Sequence, residues 1–234
     1  MRLKEVVTRA GLDLTIKIGG CEALKDMYEA RTIGVSTIVA PMIESAYAAK
    51  KYILATKVAF PQEEWKQTKF LINVETITGF NVLEDILKDP IASSIDGVVF
   101  GRSDMTGSLG MSKDDINHPK IFEYANKLAN VLSVNHKDFV IGGGVSAQSL
   151  PFFKNLPAGS LSRFETRKVI FDAQQALSSS HAGDGILKAV GFELMWIKNK
   201  RNFYQAISLE DEKRIEVLES RYRASIESIG GKVE

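Results

Sequence analysis

Two carboxylates that end apolar segments are the residues of this sequence best suited to chemistry. Glu75 lies at the end of segment 70–76, and Asp104 at the end of segment 97–105. Each segment begins as a short apolar run typical of a buried parallel strand. A helical pattern over 80–87 lies between them, and a strand–helix–strand unit leaves both strand ends at one edge of the sheet. We therefore expect the two carboxylates to meet, where they could hold a hard divalent cation with open positions for substrate oxygens.

Other residues of this predicted edge could assist that chemistry. Lys17 ends an apolar segment and could neutralise an anionic substrate or a developing enolate, or simply pair with Glu22 or Glu44. Asn73 shares a strand face with Glu75 and could donate a hydrogen bond to a substrate oxygen. The turn Gly101–Ser103 offers backbone N–H groups that could bind a substrate carboxylate. The alternative for both carboxylates is a structural one, since strand-end acids such as Asp104 often cap the next helix.

Composition narrows the class of protein. The 234 residues are 44% hydrophobic and 25% charged, which is typical of a globular domain with a sizeable core. A formal net charge of +1 gives no indication of a nucleic-acid or anionic-membrane partner. The single Cys21 excludes an internal disulfide framework and favours a reducing, cytoplasmic location. With three His and one Cys, any metal is expected to have oxygen ligands.

Apolar segments alternate with helical patterns along most of the chain, which predicts an α/β protein with a parallel sheet. About six strands are expected, each followed by a helix; they lie in segments 14–20, 35–42, 70–76, 97–105, 138–145 and 161–167. The favoured fold is a (β/α)8 TIM-type barrel that lacks its first strand or two, and an open doubly wound sheet is the alternative.

Two further segments complete the predicted organisation. We assign residues 1–180 to the barrel domain and residues 181–234 to a C-terminal helical extension that packs on a neighbouring subunit. Segment 106–119 is predicted to be a loop over the site, because it is rich in Gly, Ser and Asp. The alternating charges Arg163, Glu165 and Arg167 are interpreted as an internal salt-bridge set.

The segments at the predicted site resemble the HpcH/HpaI aldolase and citrate lyase β-subunit family of the phosphoenolpyruvate/pyruvate barrel superfamily. Residues 73–76 and 96–110 carry most of the resemblance. Residues 40–46 are similar to the family's proline-containing strand end, and residues 17–19 fall at its arginine-containing one. The similarity covers roughly residues 10–145.

The resemblance implies a metal-dependent enzyme. Glu75 and Asp104 would be the ligands of Mg²⁺ or Mn²⁺, and a 2-oxo acid such as pyruvate, or a related acyl thioester, would be the substrate. Lys17 and Asn73 would be the catalytic side chains, with Asn73 standing where the aldolases carry a glutamine. The turn from Gly101 through Arg102 to Ser103, together with Pro41, would contact the substrate. The implied activity is a carbon–carbon lyase or aldolase, and the implied assembly is a homo-oligomer.

Two departures from the family's pattern bear on activity. Lys17 stands at the position of the family's arginine, which keeps the charge but loses the bidentate fork. The family's proton-transfer group, a histidine with an acidic partner, has no counterpart that we can locate in this sequence. A catalytically degenerate barrel that serves as a ligand-binding or assembly protein is therefore the alternative to an enzyme.

Overall fold

The computed structural model describes residues 3–232 and contains one seven-stranded sheet. The strands are β1 Thr15–Lys17, β2 Thr37–Ala40, β3 Lys69–Val74, β4 Gly97–Gly101, β5 Asp138–Gly142, β6 Arg163–Glu165 and β7 Ile170–Asp172. Neighbours in the sheet are neighbours in sequence, and β1 to β6 pair in parallel. Only β7, which sequence analysis did not anticipate, is antiparallel, and it pairs with β6.

Helices connect successive parallel strands, as the alternating pattern predicts. The α-helices are α1 Leu3–Arg9, α2 Leu24–Thr32, α3 Ala46–Ala59, α4 Gln62–Gln67, α5 Ile77–Lys88, α6 Arg102–Ser108, α7 Pro119–Val134, α8 Leu150–Lys154, α9 Ala173–Ser178 and α10 Ala182–Ser228. Short 3₁₀ helices occupy Pro90–Ser94, Lys113–Asn117 and Ala147–Ser149. The prediction of a loop over 106–119 is wrong, because α6 and a 3₁₀ helix with a Ser112–Asp115 capping box occupy most of it.

Sequential strand order distinguishes between the two predicted architectures. A doubly wound sheet reverses its strand order at a switch point, whereas a barrel does not. Here the order runs from β1 to β7 without reversal. Lys17 on β1 and Glu165 on β6 interact electrostatically across the sheet, so the sheet must be curled. The fold is thus α/β with a curled, mostly parallel sheet, consistent with a partial TIM-like barrel.

The two faces of the sheet bury different residues because side chains alternate along each strand. Phe70, Ile72 and Val74 of β3 belong to the large core cluster that includes the helices. Leu71, between them, belongs instead to a small cluster with Val39, Val99 and Val140 of β2, β4 and β5. This second cluster lies on the inner, concave face, which also carries the polar residues of the candidate site.

The chain divides into two compact units, the first ending at Leu187 and the second beginning at Lys188. Helix α10 is continuous for 47 residues. This one helix, Ala182–Ser228, occupies most of the segment 181–234 that sequence analysis assigned to a helical extension. None of the helices within residues 3–232 combines the length and apolarity needed to cross a membrane.

Candidate functional site

Polar and small residues gather where the parallel strands end. Lys17, Gly101, Gly142 and Glu165 are the last residues of β1, β4, β5 and β6, and Glu75 directly follows β3. Parallel strands of one sheet end at a common edge, and the curl of this sheet turns that edge into a mouth. The strand pattern alone therefore delivers two acids and one cation to the same end of the fold.

Glu75 is the most enclosed acid of this mouth, with 2% of its surface exposed. Its Oε1 accepts a hydrogen bond from the backbone N–H of Met42 at 3.1 Å, and its Oε2 accepts one from Nδ2 of Asn73 at 2.8 Å. The Lys17 ammonium lies 3.6 Å from Oε2. Burial raises the pKa of Glu75; Lys17 and the two hydrogen bonds oppose that rise, and the nearby charge of Asp104 adds to it.

Neither of the predicted metal ligands, Glu75 and Asp104, caps a helix. Thr76, not Glu75, caps α5, and its hydroxyl accepts a hydrogen bond from Gly79 N–H at 3.1 Å. Helix α6 has no side-chain cap, and Asp104 lies exposed in its first turn. The charge of Asp104 acts on Glu75, so the two carboxylates lie in the same region.

The donor atoms present fit a Mg²⁺ or Mn²⁺ ion. Besides the carboxylates of Glu75 and Asp104, the buried Oδ1 of Asn73 has no hydrogen-bond partner, and an orphaned buried acceptor is costly unless a donor or a cation meets it. Carboxylate and amide oxygens are the ligands that hard divalent cations prefer. Within residues 3–232 no three His, Cys, Asp or Glu residues form a group that could hold a metal. Two carboxylates and one amide oxygen would leave positions of such an ion open to water or substrate.

Glu165 is a residue of the mouth that sequence analysis missed as a site residue. A Cβ atom added to Gly142 would lie 3.0 Å from Oε1 of Glu165, and one added to Gly101 would lie 2.8 Å from Oε2 of Glu75. Since Gly101 and Gly142 are register partners on β4 and β5, the two carboxyl groups lean over adjacent strands from opposite sides. In the sequence, the glycines that end two adjacent strands could have indicated that there is room here for the side chains of neighbouring strands.

The environment of Glu165 raises its pKa above the ordinary value of a glutamate. Burial raises the pKa of Glu165, Lys17 and Arg163 oppose that rise, and the charge of Glu75 adds to it. Arg163 itself bonds to Asp138, with Nη2 2.8 Å from Oδ2. The salt bridge that β6 makes is therefore with β5, rather than within the predicted Arg163–Glu165–Arg167 set.

Arg102 has 0% of its surface exposed, and its guanidinium group donates four hydrogen bonds to protein atoms. It donates to the carbonyl oxygens of Gly142 and Gly143 at 3.2 and 2.9 Å, to Oδ1 of Asn117 at 2.6 Å and to Oγ of Ser149 at 3.1 Å. Burial lowers its pKa to about 10. The side chain thus fastens the end of β5 to α6, and contact between Arg102 and a substrate would have to use its backbone N–H.

The backbone of the predicted substrate-binding turn lies against a glycine. Gly143 has φ +84°, and a Cβ atom there would lie 2.5 Å from the nitrogen of Ser103 and 2.8 Å from that of Arg102. Any side chain at position 143 would therefore fill the space in front of these N–H groups. Pro41, the remaining predicted contact, is half-buried directly after β2, and Met42 after it takes φ +45° to reach Glu75.

A curled parallel sheet whose strand ends collect buried acids beside a lysine defines a protein of the TIM-like α/β class with a polar mouth. Within that class, the chain belongs to the HpcH/HpaI aldolase/citrate lyase family. The sequence profile of that family matches residues 16–138, which is more than half of the 234 residues. The resemblance noted in the sequence is thereby confirmed.

Solved structures of this kind are similar in fold. An HpcH/HpaI aldolase from Desulfitobacterium hafniense DCB-2 has a TM-score of 0.52 and 18% identity, over 63% of this chain and 64% of its own. A family protein from Burkholderia cenocepacia J2315 has a TM-score of 0.51 and 17% identity, over 64% of this chain and 66% of its own. The chain thus spans slightly less than two thirds of the length of these two relatives.

A third similar structure, the citrate synthase SbnG, has a TM-score of 0.57 and 12% identity, over 86% of this chain and 79% of its own. At these identities the likeness shows the fold. No curated protein sequence matches the chain significantly.

Proposed function

We propose that this protein is a divalent-metal-dependent carbon–carbon lyase or aldolase that acts on a 2-oxo acid or a related acyl thioester. Membership of the HpcH/HpaI aldolase/citrate lyase family supports the reaction class. The observation that carries the metal dependence is the buried Glu75, which lies near Asp104 and beside the orphaned Oδ1 of Asn73. An arrangement of this kind is expensive to fold unless a cation stabilises it.

Each residue of the mouth has a role in this proposal. Glu75 and Asp104 would hold Mg²⁺ or Mn²⁺, which when bound supplies a Lewis acid for the substrate's oxygens. Lys17, 54% exposed at its side chain, adds positive charge for an anionic substrate and is free to swing away from Glu75. The backbone N–H groups of Arg102 and Ser103 bind the substrate carboxylate.

Proton transfer needs a titratable group at the mouth. Sequence analysis finds no histidine for this purpose, but Glu165 is a carboxyl group whose pKa is raised at the same mouth. We assign the general acid–base role to Glu165, because its environment moves its pKa in the direction that such a role requires. Asn73 orients Glu75 through the 2.8 Å hydrogen bond.

The architecture that we propose is a partial barrel of the (β/α)8 type, in which the first strand or two of the full barrel are missing from residues 3–232. Six parallel strands in sequential order, with polar residues at their C-terminal ends, form the arrangement that such a barrel uses for catalysis.

Metal titration tests the proposal directly. We expect Mn²⁺ to bind the wild-type protein in isothermal titration calorimetry, and Glu75→Gln and Asp104→Asn each to weaken binding by at least about tenfold. The matched control is Glu84→Gln, an acid on α5 that is 71% exposed and lies 3.9 Å from Lys88. If all four proteins bind the ion equally, the metal assignment is wrong.

The alternative function is a ligand-binding protein without turnover. The 3.6 Å ion pair between Lys17 and Glu75 favours this alternative, because the lysine ammonium can neutralise Glu75 in place of a metal ion. A screen of 2-oxo acids and hydroxyacyl thioesters with Mn²⁺ separates the two functions. Metal-dependent carbon–carbon cleavage supports the enzyme, whereas ligand binding with no turnover supports the alternative.

A further inference from the structure

Helix α10 carries a row of exposed side chains at the spacing of a coiled coil. From position 190, alternate steps of four and three residues reach Val190, Leu194, Ile197, Arg201, Tyr204, Ser208, Asp211, Ile215, Leu218 and Tyr222. The seven apolar members of this row are between 43% and 67% exposed. A repeat of 3.5 residues sustained over roughly five heptads is the pattern by which two helices bury a shared seam.

The seam has apolar ends and a polar centre. One apolar block covers 190–197 and the other 215–222, while Arg201 and Asp211 lie in the centre between them. In a parallel pair of identical helices, each residue of the seam meets its own copy. Arg201 would then face Arg201 and Asp211 would face Asp211, which places like charges at positions shielded from water.

An antiparallel pair resolves this conflict. With a twofold axis at Ala206, Arg201 of each copy lies opposite Asp211 of the other. In the same register the apolar blocks face each other in three layers, which pair Val190 with Tyr222, Leu194 with Leu218 and Ile197 with Ile215. The register that pairs the charges is therefore also the register that pairs the apolar residues, and a twofold axis makes every contact twice.

Charges that flank the seam give weaker support to the same arrangement. Two flanking pairs of the antiparallel register are attractive, Glu193 with Arg221 and Lys198 with Glu212, and one is repulsive, Lys200 with Arg214. A parallel pair would also have attractive flanking contacts. Exposed flanking charges contribute little, however, so the charges within the seam decide the orientation.

We propose that α10 pairs with α10 of a second copy of this chain, antiparallel about an axis at Ala206, and that this seam makes the protein a dimer. The occupant is a second copy because the charges and the apolar blocks of the row are complementary to the row itself. This inference is independent of the proposed lyase activity.

Adjacent residues of α10 provide a matched test of the seam. Leu218 lies in the row and is 52% exposed, whereas Val217 lies outside it and is 50% exposed. In sedimentation equilibrium at micromolar concentration we expect the wild-type protein and Val217→Glu to have twice the chain mass of 25.8 kDa. The dimer of Leu218→Glu is expected to dissociate at least about a hundredfold more readily. Its barrel should remain folded, which circular dichroism checks. A monomeric wild type, or a greater loss with Val217→Glu, would overturn the proposal.

Charge exchange tests the orientation without loss of apolar surface. Arg201→Asp and Asp211→Arg, made singly, each place like charges opposite one another and are expected to weaken the dimer at least about tenfold. The double variant in one chain restores opposite charges only in the antiparallel register and should recover wild-type dimerisation. A double variant as weak as the singles would contradict the antiparallel pair.

Discussion

Gly101→Ala is the substitution that most directly tests the geometry of the mouth. A Cβ atom at position 101 would lie 2.8 Å from both Cβ and Oε2 of Glu75, whereas ordinary contacts begin at 3.4 Å. The Oε2 end can rotate away, but Cβ of Glu75 is held by the end of β3. The two strands would therefore have to separate by about 0.6 Å. Overpacking of this kind costs about 1–3 kcal/mol of unfolding free energy.

The same displacement should reach the proposed metal site, since the carboxylate of Glu75 moves with its Cβ atom. We expect the affinity for Mn²⁺ to fall about 10–100-fold, the range for groups that orient metal ligands. Urea unfolding measures the stability change, and calorimetry measures the metal affinity.

Gly107→Ala is the matched control for this substitution. A Cβ atom at position 107 meets nothing within 4 Å. Because Gly107 lies in α6, alanine should leave stability unchanged or raise it by up to about 1 kcal/mol. If Gly101→Ala matches Gly107→Ala in both stability and affinity, Glu75 does not depend on the glycine and the close approach is not what positions it.

Three further predictions concern Arg102, the two glutamates of the mouth and Lys17. Arg102→Lys should lower the unfolding free energy by about 3 kcal/mol in urea titrations. An ammonium group cannot reach all four acceptors that hydrogen-bond to the guanidinium group, and the acceptors without a donor would be buried. A change below about 1 kcal/mol would refute this. Glu75 and Glu165 have raised pKa values in the folded protein, so the unfolded chain releases their protons at lower pH. The unfolding free energy of the metal-free protein should therefore fall as the pH rises above about 4.3. The fall is up to about 1.4 kcal/mol per pH unit for each group, until the pH passes the pKa of that group in the folded protein. Glu165→Gln should reduce that slope, and a slope unchanged between pH 4 and 8 would show that Glu165 does not titrate in this range. Lys17→Met removes the charge that opposes the rise in the pKa of both Glu75 and Glu165, so the fall in stability should extend to higher pH. The urea midpoint as a function of pH measures this, and a shift of the fall to lower pH would contradict it.

The local pattern of the sequence was sufficient for several features. Each of the six predicted strand segments contains a strand, because short apolar runs between helical patterns have few other structures available. The two-residue period placed Asn73 and Glu75 on one face, and the structure shows them hydrogen-bonded. The resemblance over the central strands identified the family, which the family profile confirms.

Other features did not follow from the residue types of a segment alone. The predicted loop over 106–119 is mostly helical, because its Gly, Ser and Asp residues include helix caps as well as turn formers. Sequence analysis placed Arg102 in a substrate-binding turn, yet its side chain meets the carbonyl oxygens of Gly142 and Gly143, some forty residues away. No local pattern indicates such a partner.

Glu165 shows most clearly where sequence and tertiary structure divide. The sequence by itself determined that acids end the strands β3 and β6, since periodicity is a local property of the chain. Only the curl and register of the sheet decided that Glu165 and Glu75 would lean over the paired glycines Gly142 and Gly101 toward Lys17. Distances between strands that are not neighbours depend on the twist accumulated across the whole sheet, which no single segment specifies.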